Sequence, residues 1–186
     1  MDYIFGTYAT DELKLIHHRA HRMGLQHGYA LSPIHPGPGE SVTASVWVGA
    51  ETTVDHLVCY FSTDDQPPQG SFGHPTHGQI VRFRQVETAW DSLLWGYVTR
   101  WEATLPGQPD GTIVSYRIGG WRDGDAREYW ADYPPANSVV ERAADAYFQK
   151  REWHFPTIDE ADSSGKTFAY PVDTLSAPAW AHNAVI

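Results

Sequence analysis

The chain has 186 residues, 41% of them hydrophobic and 19% charged, enough for one ordinary domain with a sizeable core. Acidic residues outnumber basic ones 23 to 13, for a formal net charge of −10. That balance supplies no basic face to neutralise phosphates, which argues against nucleic acid and anionic membrane surfaces as partners.

In chain order, residues 10–23, "TDELKLIHHRAHRM", predict a helix. Thr10 or Asp11 can cap it and Gly24 can stop it, with Leu13, Ile16, Ala20 and Met23 forming one apolar stripe. From residue 40 the period changes to two. Strands are expected at 41–49, 53–63, 78–87, 92–105, 112–121 and 126–132, joined by segments rich in Gly, Pro, Asp and Gln such as "TDDQPPQGSFG" and "PGQPDG". Val42, Ala44, Val46 and Val48 alternate inward, as do Val114, Tyr116 and Ile118. Six or seven such strands indicate an all-β fold, an antiparallel sandwich. Beyond it, Ser138 and Glu141 fit a capping box ahead of a helix at about 139–149. The remainder reads as an extended linker. The expected division is a helical extension at 1–30, a sandwich at 31–133, and a helix with linker at 134–186.

Cys59 stands alone in "LVCYF", reads as a core residue and can form no internal disulfide. No apolar run of about 18 residues could span a bilayer, and "MDYIFGTYATDELKL" lacks the features of a secretory signal. A cytoplasmic location is expected.

His17 and His21 stand one helical turn apart, with His18 and His27 nearby, a spacing that can form a zinc fork. The run holds no carboxylate and lacks His-Glu-x-x-His, so no metal or other cofactor is expected. The loop carboxylates Asp64, Asp65, Asp110, Asp123 and Asp125 read as turn formers, not as the spaced pair of a glycosidase. No nucleophile-elbow, nucleotide-binding or dinucleotide motif occurs.

The eight Trp and ten Tyr remain to be explained. Aromatic rings can cover the apolar C–H faces of sugars. Trp95, Tyr97 and Trp101 alternate along one strand and read as core. Trp47, Trp121, Tyr129 and Trp130 form the expected exposed platform, serving either a carbohydrate or a neighbouring domain.

The chain closes on "PAWAHNAVI", where Asn183-Ala184-Val185-Ile186 reads as a buried strand beginning. This stretch, with Pro178 and Trp180, resembles the lead-in to the catalytic barrel of the α-amylase superfamily, glycoside hydrolase family 13. "FAYPVD" (168–173) is similar to the run before that point in cyclomaltodextrinase- and neopullulanase-like members. Residues 94–121, above all "WEATLPGQPDGTIVSYRI", resemble their N-terminal immunoglobulin-like domain. The resemblance covers about residues 40–186. It implies an immunoglobulin-like accessory domain, without catalytic residues of its own, from the front of a longer α-glucan-acting enzyme. The family's catalytic carboxylates would lie on barrel strands after Ile186. The implied partners are the barrel of the same polypeptide, an α-glucan and a second copy of the chain. Two alternatives stay open: an independent glucan-binding module, and a metal-dependent enzyme using His17, His21 and His27.

Overall fold

A computed structural model describes residues 11–156 and 165–174. In order, the elements are α1 (Asp11–Ala20), β1 (Leu25–Gln26), β2 (Leu31–Ser32), β3 (Val42–Val48), β4 (His56–Ser62), β5 (Gln69–Ser71) and β6 (His74–His77). There follow β7 (Gln79–Arg82), β8 (Arg84–Asp91), β9 (Gly96–Leu105), β10 (Thr112–Trp121), β11 (Tyr129–Trp130), α2 (Ala136–Phe148) and β12 (Phe168–Val172).

The strands form two antiparallel sheets facing one another. One runs β1-β3-β9-β8, with β2 also on β3; the other runs β11-β10-β4-β7, with β12 also on β10. With β1–β2 as A, β3 as B, β4 as C, β8 as D, β9 as E, β10 as F and β11–β12 as G, the orders are A-B-E-D and G-F-C. That is the strand order of an immunoglobulin-like sandwich, with β7 added beside C.

Period-two alternation builds the core. Val42, Ala44, Val46 and Val48 on β3 meet Leu57, Cys59 and Phe61 on β4 and Val114, Tyr116 and Ile118 on β10. Each large apolar side chain removed from water contributes roughly 1.5–3 kcal/mol. Burial pushes the Cys59 thiol well above its ordinary pKa, so it stays protonated and inert. β4 is apolar from Leu57 to Phe61 because its other face is covered too. Val58 and Tyr60 lie beneath Phe72, Trp121 and Trp130.

Three expectations about the strands change. The single strand at 78–87 is two: β7 belongs to one sheet and β8 to the other, with the chain crossing at the buried Phe83. The sandwich also reaches past residue 133. In the stretch expected as linker, β12 pairs with β10 from Thr112↔Val172 to Tyr116↔Phe168 and buries Phe168, Tyr170 and Val172. The "TDDQPPQGSFG" connection is not only a loop, since it contributes β5 to the β5–β6 hairpin.

The helices pack against each other through Ala20, Met23 and Val139, with Val140, Trp153 and Phe155 alongside. The capping box is not formed. Helix α2 starts earlier, at Ala136, and no side chain caps it; Ser138 Oγ instead donates to the Pro135 carbonyl at 2.8 Å. Pro135 stands at the N-cap in an extended conformation, with φ −60° and ψ 124°. The segment 178–186 lies outside the described residues. No helix among the described residues is long and apolar enough to cross a membrane.

Candidate functional site

The β8–β9 hairpin carries the exposed aromatic surface. Its turn is set by Asp91, whose Oδ1 accepts from the backbone N–H groups of Leu93 and Leu94 at 3.0 and 3.1 Å. A carboxylate accepting from the amides just after it closes a turn locally. Trp95 completes the turn with a positive φ of 50°. Trp90 and Tyr97 are cross-strand partners. Their rings meet edge to face with centroids 5.0 Å apart, and Trp95 meets Trp90 the same way at 6.1 Å. Trp95 is 81% exposed, Tyr97 66%, Leu93 57% and Trp90 50%.

Trp95 and Tyr97 were expected in the core. The alternation along β9 does continue inward at Ala103 and Leu105, which are buried, and Trp101 packs on the core. The tip of the hairpin lies outside that core, so rings there are left in solvent.

A cleft of about 270 Å³ opens beside the turn of this hairpin, lined by His18, Arg22, Trp47, Trp90, Asp91 and Ser92 among others. His18 Nε2 donates to Asp91 Oδ2 at 2.9 Å, tying α1 to the hairpin. Arg22 Nε lies 3.9 Å from the same oxygen, and its guanidinium stands over the Trp47 ring at 5.6 Å. Burial alone would raise the Asp91 pKa. Its hydrogen bonds with His18 and the two amides outweigh that and hold the carboxyl below its ordinary value.

The four expected platform residues separate. Trp47 is half-buried on β3, between Arg22 and Arg100, and lines the cleft. Trp121 and Trp130 are each only 8% exposed and do not form a surface. The β5–β6 hairpin folds over them: Phe72 meets Trp121 at 5.7 Å, and Gly73, with φ 75°, brings its backbone so close that an added Cβ would stand 3.0 Å from the Trp121 ring. Arg117 lies over Trp130 at 4.1 Å. Tyr129 is half-buried against the sandwich core.

A buried polar group holds that cover down. The Tyr60 hydroxyl donates to Glu128 Oε1 at 2.8 Å and accepts from the Gly73 N–H at 2.7 Å. Glu128 Oε2 accepts from the Phe72 N–H at 2.8 Å. Burial pushes the Glu128 carboxyl above its usual range, against those hydrogen bonds and the nearby Arg117.

The histidines scatter. His17 and His21 stack on each other with ring centroids 4.1 Å apart, and His21 bonds the His17 carbonyl. His27 is buried under the sandwich, where its Nδ1 donates to the Ser45 carbonyl at 2.7 Å and its Nε2 accepts from the Tyr116 hydroxyl at 2.8 Å. Among the described residues no group of three or more His, Cys, Asp or Glu side chains is placed to hold a metal ion. The loop acids do local work: Asp64 pairs with His77, Asp123 with His56, and Asp110 accepts from the Thr174 amide.

The fold and site thus define an immunoglobulin-like sandwich with an exposed aromatic hairpin over a mixed polar cleft. No protein-family model and no curated protein matches the chain. Among solved structures it is similar to the uncharacterized protein lmo2446 from Listeria monocytogenes EGD-e, determined in complex with α-D-glucose, β-D-glucose, magnesium and calcium. The identity is 18% and the TM-score 0.41, covering 57% of this chain and 10% of that one. It is also similar to the human F-spondin reeler domain, at 13% identity and a TM-score of 0.32, covering 60% of this chain and 80% of that one. The chain thus matches only about a tenth of the length of the Listeria protein.

Proposed function

We propose that this chain is a non-catalytic accessory domain of an α-glucan-acting glycoside hydrolase, and that it holds the glucan on the β8–β9 hairpin. The observation that carries the sugar-holding role is the exposure of Trp90, Trp95 and Tyr97 together on one hairpin. Solvent-exposed rings have flat apolar faces that suit the C–H faces of pyranose rings. The polar cleft beside them offers hydrogen-bonding groups for hydroxyls. The α-glucan and the catalytic barrel as partners come from the sequence resemblance at 168–186.

Affinity electrophoresis in amylose or glycogen gels tests the reading. The chain is expected to be retarded relative to a sugar-free gel, and Trp95→Ala to migrate freely. Unretarded migration of the wild-type chain sinks it, and would assign the rings to contact with a neighbouring domain.

A further inference from the structure

We propose that the cleft beside the hairpin turn receives one terminal sugar ring, so that the site captures glucan chain ends instead of chain interiors. This inference rests on the sugar-holding function above. Its first ground is size. At about 270 Å³ the cleft falls just below the roughly 300–1,000 Å³ of pockets for drug-sized ligands. It has room for one pyranose ring.

The second ground is where the polar groups sit. Trp90, Trp95 and Tyr97 offer ring faces that any residue along a glucan can stack on. Arg22, His18 and Ser92 gather in the cleft. A ring inside the chain is linked on both sides, whereas a terminal ring keeps one further free hydroxyl. A site built to hydrogen-bond a hydroxyl rejects ligands that lack it, because its own polar groups are then left unpaired.

The third ground is the state of those groups. Asp91 is already committed to His18 and to the Leu93 and Leu94 amides, which makes it a positioning residue. Arg22 is not so committed: at 3.9 Å its pairing with Asp91 is too long for a hydrogen bond. Its donors remain available to a ligand. Trp90 belongs to both the ring cluster and the cleft, so a chain stacked on the hairpin can lead its last ring into the cleft.

The test compares maltoheptaose with β-cyclodextrin, a ring of the same glucose units without ends, by calorimetry on the full chain. Arg22→Gln is expected to weaken maltoheptaose about tenfold and to leave β-cyclodextrin within about twofold, at an unchanged melting temperature. Equal weakening of both ligands, or of neither, overturns the inference. A second measurement needs no variant: with amyloses of increasing length, the number of domains bound per chain stays constant if ends are captured. A count rising with length overturns the inference and leaves the proposed function standing. Failure of the wild-type chain to bind either sugar overturns both.

Discussion

Trp90 and Tyr97 are paired across the β8–β9 ladder, and their rings meet edge to face at 5.0 Å although both are at least half exposed. Two large rings kept in solvent give the fold little burial. Truncating Tyr97 or Trp95 to Ala should therefore change the melting temperature by only a degree or two, since exposed substitutions lie within about 0.5 kcal/mol. The same variants should lose tenfold or more in glucan affinity, because aromatic anchors that become covered on binding carry about 2 kcal/mol or more. Calorimetry and thermal melts on the same samples separate the two effects.

Asp91 should show itself in acid. Its folded carboxyl titrates below the ordinary value of 3.8. Its contribution is therefore complete above that pH and is lost as pH falls through the lower folded value. Asp91→Ala leaves the Leu93 and Leu94 amides to water and is expected to cost about 0.5–1.5 kcal/mol. In the variant, glucan affinity should fall together with the order of the hairpin, read by amide exchange at residues 92–95.

Glu128 acts in the opposite direction. Its folded pKa lies above the ordinary 4.5. Stability linked to it is full below that value and falls as pH rises through the folded pKa. Glu128→Gln should remove this decline in urea melts run from pH 4 to 8. Glu128→Ala should cost about 1–3 kcal/mol, since the Phe72 amide and the Tyr60 hydroxyl lose a partner. Quenching of Trp121 and Trp130 fluorescence by acrylamide should rise in that variant as the β5–β6 cover loosens.

His27 gives the domain its sensitivity near neutrality. Burial lowers its pKa below 6.5, against the Ser45 hydrogen bond and Asp132. The neutral ring is favoured on folding, so stability is complete above 6.5 and declines as pH falls toward the folded value. Tyr116→Phe removes the hydroxyl that donates to Nε2 and should cost about 1 kcal/mol at pH 7.5. Histidine NMR titration of the wild-type chain locates the folded pKa directly.

Much of this fold is legible in the sequence because alternation and burial coincide in it. Val42 through Val48 and Val114 through Ile118 point inward as their period dictates. The aromatic site is not legible by the same rule. Tyr97 keeps the parity of Ala103 and Leu105, and no local signal marks where along β9 the core ends. The two-residue strands β1, β2 and β11 are too short for any period to register. Trp121 and Trp130 mislead for a different reason. Their cover arrives from a Gly- and Pro-rich stretch about fifty residues earlier in the chain, and tertiary pairing through Glu128 and Tyr60 brings it there. Trp47, expected in the exposed platform, is half-buried on an interior strand, and its partner Arg22 comes from just after the N-terminal helix.

The late arrival of β12 settles how this domain can be handled as a movable part. A version cut at residue 133, where the regular strand pattern stops, would strip the partner from one edge of β10 along Thr112–Tyr116 and the cover from Val114 and Tyr116. The bared edge would invite pairing with other copies. A graft of this domain onto another protein must carry everything through Val172, including α2 as an internal excursion between the last two strands.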